Sequence, residues 1–458
     1  MAQTNTEGFM PVPMERRTLG AFSLFSIWIA CNLVVTTVLT GMQVIPQISL
    51  GSALICFVLG SAVGIIPLLF VGLIGQKTGL ATMVASRGTF GTKGSLIPTV
   101  VNVTLLMAWS WAQAGLGGYA LNYLSVAIFG YDNTFLYIAL TEVIVIGIAL
   151  YAIKGVMYYE KVAAVLVIGF MSVAMYKLFS TFSVESIMNI EVINTTGLNQ
   201  MIVFEIVVAM ALSWVPMAAD YTRNCRSRKA CVWMPFLGYT IGTAIAMSTG
   251  AILVASLIVQ GGPVVYEPSA AFGLVNLGIP GAAAIFLSVL AANVMCVYSS
   301  TMSILNFSSK LKFRPVALFV GIMCLLGALF SGILDVFLEF LHLIGVLFMP
   351  MFAIVIADFY VVQKSRYDIE AIVSPELNNR YCYYKGFNIV AITVYVLSAG
   401  VSFYMTMFMS TEIGATIPSF FVAFFMYLLA DRFFHRRRRV RLGRLDQPAE
   451  ELATAGDS

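Results

Sequence analysis

Trp109 and Gln113 stand four residues apart in the run Trp109-Ser110-Trp111-Ala112-Gln113, so on a helix they share one face. An indole offers a surface on which a flat heteroaromatic ring can stack, and an amide can read ring nitrogens or carbonyls. The same pair in a plain helix bundle is a packing Trp and a Gln bonded across helices, and the residues alone favour that simpler reading. A second group is ionisable and set in long apolar runs: Glu142, Glu205, Glu339 and His342. Such groups are costly inside a bilayer and point to function by default. Glu339 and His342 are three apart and could pass a proton or pair, although Glu339 could equally be solvated at the outer surface. Glu205 lies about two helical turns before the Ser213–Pro216 segment and is the first choice for carrying a proton, with Glu339 and His342 behind it.

Two segments read as interrupted helices. In Ala211-Leu212-Ser213-Trp214-Val215-Pro216, the proline removes one backbone donor and clashes with the carbonyl near Leu212, and Ser213 can bond what is freed. Near the start, Asn32 stands among apolar residues ahead of Thr36, Thr37, Thr40 and Gly41. Breaks of this kind free backbone groups at mid-membrane, where transporters bind their cargo. A lone proline kink is often only structural.

The elements that must position these residues are membrane helices. Of 458 residues, 60% are hydrophobic and 10% charged, with a mean hydropathy of +0.91. A soluble domain is about half apolar and about a quarter charged. Twelve apolar stretches are long enough to span: roughly 21–43, 52–75, 97–125, 134–153, 161–182, 200–220, 233–259, 281–306, 315–334, 337–362, 387–409 and 413–434. In this reading every Lys and Arg except Lys177 falls on one side, and Asp132, Glu185, Glu191, Glu267 and Glu412 fall on the other. Positive loops stay cytoplasmic, so both termini are placed inside. The polar start, Met1 to Arg17, does not resemble a cleaved signal.

These features exclude other classes. Cys31, Cys56, Cys225, Cys231, Cys296, Cys324 and Cys382 form no metal-type cluster and read as unpaired thiols. With only His342 and His435, and no HExxH, GxSxG or phosphate loop, an enzyme is not indicated. No repeated filter segment suggests a channel. The arginines at 436–439 follow a helix directly, so they read as topology and anionic-lipid contacts, not nucleic-acid binding.

Several ordered stretches resemble the purine–cytosine permease branch of the nucleobase–cation symporter family. They are Lys77-Thr78-Gly79-Leu80 with Ser86-Arg87-Gly88-Thr89-Phe90-Gly91-Thr92-Lys93-Gly94-Ser95, then Trp109 with Gln113, then Ala219-Asp220-Tyr221-Thr222-Arg223, and Ile356-Ala357-Asp358-Phe359-Tyr360 with Arg366-Tyr367. The Leu-Ser-Trp-Val-Pro run and Phe340-Leu341-His342-Leu343-Ile344-Gly345 are similar to the hydroxymethylpyrimidine transporter subgroup. The resemblance implies an all-α, leucine-transporter-type fold of two inverted five-helix repeats plus two helices. It implies that Trp109 stacks on the substrate and Gln113 bonds to it. The family's second stacking aromatic falls on Ala211 here, a departure that Trp214 could make good in a different pose. In sodium-coupled relatives the eighth helix supplies two adjacent hydroxyls just before an Asn. The matching stretch, Ser288-Val289-Leu290-Ala291-Ala292-Asn293, has alanine at both positions. Too few hard oxygens weaken a sodium site, so a proton is expected as the coupling ion. The Ser299-Ser300-Thr301 run further along the helix is the alternative register.

The reading is therefore a multi-pass cation symporter of a bacterial cytoplasmic membrane, importing cytosine, a purine, hydroxymethylpyrimidine or a related heterocycle. The rival is a leucine-type permease for an amino acid or an allantoin-like compound. Substrate contacts are assigned to Trp109, Gln113, Ser213, Trp214, Asn293 and Asn32, and no cofactor or metal is expected. Residues 1–20 are read as a cytoplasmic tail, 21–434 as the transporter and 435–458 as a basic, then disordered, tail.

Overall fold

Each of the twelve apolar stretches folds as a helix or a broken pair of helices. The computed structural model describes residues 10–150, 153–305, 311–373, 380–409 and 414–434, with the backbone alone at 153–162 and 164. Expectations for Lys154, Lys161, Lys310, Glu412 and everything from His435 onward lie outside the described side chains. The spans are, in order, Ala21–Ala30 with Val35–Val44, Leu50–Thr78, Leu96–Phe129, Thr134–Leu150, Ile153–Thr181 and Gln200–Thr222. Then come Arg228–Val259, Gly278–Leu305, Phe313–Phe330, Phe337–Val362, Ile389–Phe408 and Thr416–Phe434. Eight of these are apolar and long enough to cross a bilayer by themselves. The third and fourth meet at 120° across Gly130, whose φ of 69° lets the chain reverse, so they form a helical hairpin.

The packing carries the symmetry that sequence identity does not. The first span packs chiefly on the seventh and the sixth chiefly on the second, while the third lies along the eighth and the fourth along the ninth. Exchanging each span with the one five later maps this set of pairs onto itself, as two five-helix repeats require. Without a hydrophobic force between helices in lipid, close approach relies on small residues. A Cβ on Gly41 would sit 2.0 Å from the Met247 carbonyl oxygen, and one on Gly250 would sit 2.0 Å from that of Val38, so the first and seventh spans touch through backbone.

Burial separates core from rim. The most apolar windows of the sixth and tenth spans are 78% and 83% buried, against 28% and 22% for the eleventh and twelfth. The sixth and tenth spans are thus central, and the last two lie at the rim together with the ninth, also 28% buried. Two features add to the sequence reading. The motif-bearing segment after the second span, expected as loop, contains a helix at Thr82–Phe90. Residues 12–19 are not a loose tail. Val12 N–H donates to Gly79 O at 2.9 Å, and Leu19 N–H donates to Asn224 O at 2.9 Å. The buried Arg17 guanidinium donates to the carbonyls of Val12 and Gln76.

Candidate functional site

The two interrupted helices face each other at the centre. The first span bends by 52° across Cys31–Val34. The sixth stops at Leu212, passes through one tight turn at Val215–Met217 and resumes at Ala218. Pro216 cannot donate, which ends the regular ladder there. Ser213 Oγ donates to Met210 O at 2.6 Å, two residues before the Leu212 carbonyl that the proline position suggests.

Between the breaks lies a cavity of about 430 Å³, counted with the solvent space that opens onto it. The first span contributes Cys31, Val34, Thr36 and Thr37, and the third contributes Leu106, Trp109 and Gln113. From the sixth come Met210, Ser213, Trp214 and Met217, and from the eighth Ala292 and Cys296. The i, i+4 spacings, 109 with 113 and 292 with 296, put each pair on one helix face. The structure thus gathers four of the expected contacts, Trp109, Gln113, Ser213 and Trp214, around one space.

Trp109 and Gln113 each keep a buried polar atom without a partner among the described residues. Trp109 is buried, and the edges of Phe337 and Phe340 meet its ring at centroid distances of 5.9 and 5.3 Å. Its Nε1–H has no acceptor. Gln113 Nε2 makes one long bond of 3.5 Å to Thr36 Oγ1, and its Oε1 is buried without a donor. Unpaired buried polar groups cost about 1–3 kcal/mol each, and a ligand offering an N–H and an acceptor would offset that cost. Trp214 stands at the sixth-span break with its ring edge-on to Trp28, 6.3 Å between centroids.

Two expected contacts lie elsewhere. Asn32 is 1% exposed and outside the cavity wall; its Nδ2 donates to Trp28 O at 2.8 Å, closing the end of the first half-helix. Asn293 points its Nδ2 at Glu142 Oε2, 2.7 Å away, and is not part of the wall. Among the ionisable groups, Glu205 accepts the backbone N–H groups of Ala415 and Thr416 and so holds the start of the last span. Glu339 is exposed in the first turn of the tenth span, and His342 is half-buried beside Glu205, so Glu339 and His342 do not form a shared buried site.

The eighth span meets the first-span break through Ser288, whose Oγ accepts Val35 N–H at 3.1 Å, and through Ala292. Ala292 therefore faces the site, as the register required, but brings no oxygen. The Ser300 and Thr301 side chains are fully buried and not in the cavity wall.

The motif stretches do different work. Asp220 Oδ1 accepts Thr82 N–H at 2.9 Å while Thr82 Oγ1 accepts Ala219 N–H at 3.1 Å, tying the short helix to the sixth span. Asp358 accepts from Tyr427 at 2.8 Å, Tyr367 at 3.0 Å and Thr89 at 3.1 Å. These residues join ends of the spans to one another, away from the cavity.

Known proteins are similar to this chain over most of its length. The chain is 24% identical to a hydantoin permease of Microbacterium maritypicum over 422 residues, 86% of this chain and 83% of that one. It is 22% identical to the cytosine permease of Escherichia coli K12, over 80% of this chain and 84% of that one. Its fold superposes on Mhp1, a nucleobase-cation-symport-1 family transporter held closed with bromovinylhydantoin bound, with a TM-score of 0.79. That match covers 94% of this chain and 96% of the other at 21% identity. Residues 11–430, nearly the whole membrane domain, match one family from end to end, and the protein belongs to it: the permeases for cytosine and purines, uracil, thiamine and allantoin.

Proposed function

We propose that the protein is a secondary active transporter that imports a flat nitrogen heterocycle of nucleobase or hydantoin size with a coupled cation. The observation that carries this reading is the central cavity, where the indole of Trp109 and the undonated Oε1 of Gln113 lie four residues apart between two broken helices. Such a wall offers a stacking face and a hydrogen-bond reader, which is what a planar ring with N–H groups needs. The wall itself holds hydroxyls, thiols, an amide and indoles, groups suited to holding a neutral ring. The positive-inside distribution supports cytoplasmic termini in a bacterial cytoplasmic membrane. With Ala292 facing the first-span break, the eighth span offers one hydroxyl, Ser288, and this supports a proton over sodium as the coupling ion.

The test is uptake into proteoliposomes of labelled cytosine, adenine, hydroxymethylpyrimidine, hydantoin, allantoin and leucine, with proton and sodium gradients imposed separately. At least one heterocycle should accumulate against its gradient, and leucine should not. Accumulation of leucine alone would overturn the heterocycle reading.

A further inference from the structure

Carboxyls packed among the described helices are held in different ways. Asp220, Asp358 and Glu205 each tie separate elements together, through backbone N–H donors or three hydroxyls at once. Glu142 does not. It lies midway along the fourth span, fully buried, and among the described residues two neutral side chains donate to it. Asn293 Nδ2 donates to its Oε2 at 2.7 Å and Ser110 Oγ to its Oε1 at 3.4 Å. Ser110 directly follows Trp109, and Asn293 directly follows Ala292; both of those neighbours line the cavity. The carboxyl is thus linked, one residue behind the wall, to the third and eighth spans together.

We propose, building on the transporter reading above, that Glu142 binds and releases the coupling proton and that Asn293 relays its state to the cavity side. A full charge at this depth needs a cation or a rich set of donors. The titratable groups that face Glu142 among the described residues are the thiols of Cys296 on the eighth span and Cys324 on the ninth; no Lys, Arg or His reaches it. A proton supplies the missing positive charge. It is taken from water by one carboxylate oxygen and later returned to water, with no other bond changed.

The relay follows from the two ends of an amide. An ionised carboxylate can only accept, so it holds Asn293 by Nδ2 and leaves Oδ1 outward; that Oδ1 is buried and has no partner. A protonated Glu142 can donate to Oδ1, and the amide, turned round, presents N–H instead. One proton therefore reverses the hydrogen-bonding character of the amide end that points away from Glu142, next to the wall residue Ala292, and proton binding and the affinity for cargo become linked. Glu205 accepts instead from two backbone N–H groups, which cannot turn round as a side-chain amide can.

The experiment compares wild type, Glu142→Gln and Glu142→Asp in proteoliposomes, using a heterocycle that the wild type carries. Uptake driven by an imposed proton gradient is set beside gradient-free exchange of labelled for unlabelled substrate. Glu142→Gln should lose at least tenfold in gradient-driven accumulation while keeping exchange, and Glu142→Asp should recover part of it. Undiminished accumulation in Glu142→Gln, with its usual response to the proton gradient, overturns the proposal. A second readout needs neither uptake nor that variant. Infrared spectra of the purified wild type across a pH titration should show a buried carboxylic-acid band, and Ser110→Ala, which removes one donor, should shift it. A band absent from the wild type, or unmoved in Ser110→Ala, also overturns the proposal. If the wild type carries no heterocycle, the transporter reading fails and the infrared titration alone decides the proton site.

Discussion

Replacing Trp109 with Ala separates binding from packing, because the two roles use different parts of the ring. If the indole face stacks on the substrate, its loss costs about 1–3 kcal/mol, the range for a base on an aromatic side chain. That corresponds to a rise of about 5- to 150-fold in Kd. The same substitution removes two edge contacts, to Phe337 and Phe340, and empties a buried site, which costs about 3–5 kcal/mol of stability. Binding must therefore be measured on the folded fraction, by equilibrium binding of a labelled heterocycle after size exclusion, with thermal unfolding recorded beside it. Trp109→Phe keeps a smaller face and should weaken binding by less than about tenfold, near the lower part of the stacking range. Trp111 supplies the control. It faces the ninth span, where a Cβ on Gly327 would fall 2.0 Å from its Nε1. Trp111→Ala should lower thermal stability and leave Kd within about threefold, well below a full stacking contribution. Normal binding in Trp109→Ala together with lost binding in Trp111→Ala would refute the assigned helix face.

Three further outcomes follow from the same geometry. Glu205→Ala leaves the N–H groups of Ala415 and Thr416 without their acceptor, so it should lower stability by about 1–3 kcal/mol in detergent unfolding while the proton dependence of uptake is retained. Lost proton dependence in a stable Glu205→Ala protein would instead restore Glu205 as the proton carrier. The described native thiols are all buried, Cys225 at 1% and Cys231 at 0% exposure, so an impermeant maleimide should leave them unlabelled from either side and cannot report topology. Exposed positions can: Glu185→Cys should label in intact cells and Lys229→Cys only after permeabilisation, and the reverse pattern would invert the assigned orientation. Gly41→Ala should abolish folded, active protein, since its Cβ would meet backbone and not a side chain that can move; normal yield and uptake would show that the first and seventh spans can separate.

The spans were legible because a membrane helix is a local requirement: about 20 apolar residues, with its backbone bonds satisfied within the segment. The break at Ser213–Pro216 was legible for the same reason, since proline acts on its own helix. So was the shared face of Trp109 and Gln113, which helical spacing fixes. What escaped the sequence depends on residues brought together from afar. Glu142 meets Asn293 across 151 positions, and Glu205 meets the start of the last span across 210. Both carboxyls look alike in sequence, an acid within an apolar run. The partners that packing gave them make one a cap and leave the other with two neutral donors. Asn32 was misplaced because its nearest acceptor is Trp28 O, four residues back, exposed only where the helix stops. The helix at Thr82–Phe90 was missed because it is short and is held by Asp220, a residue 138 positions away, more than by any apolar stripe of its own. Sequence alone determined which segments cross the bilayer, since lipid acts on each segment separately. Only the tertiary structure decided which polar groups face the cavity, because each partner's position is set by helices far along the chain.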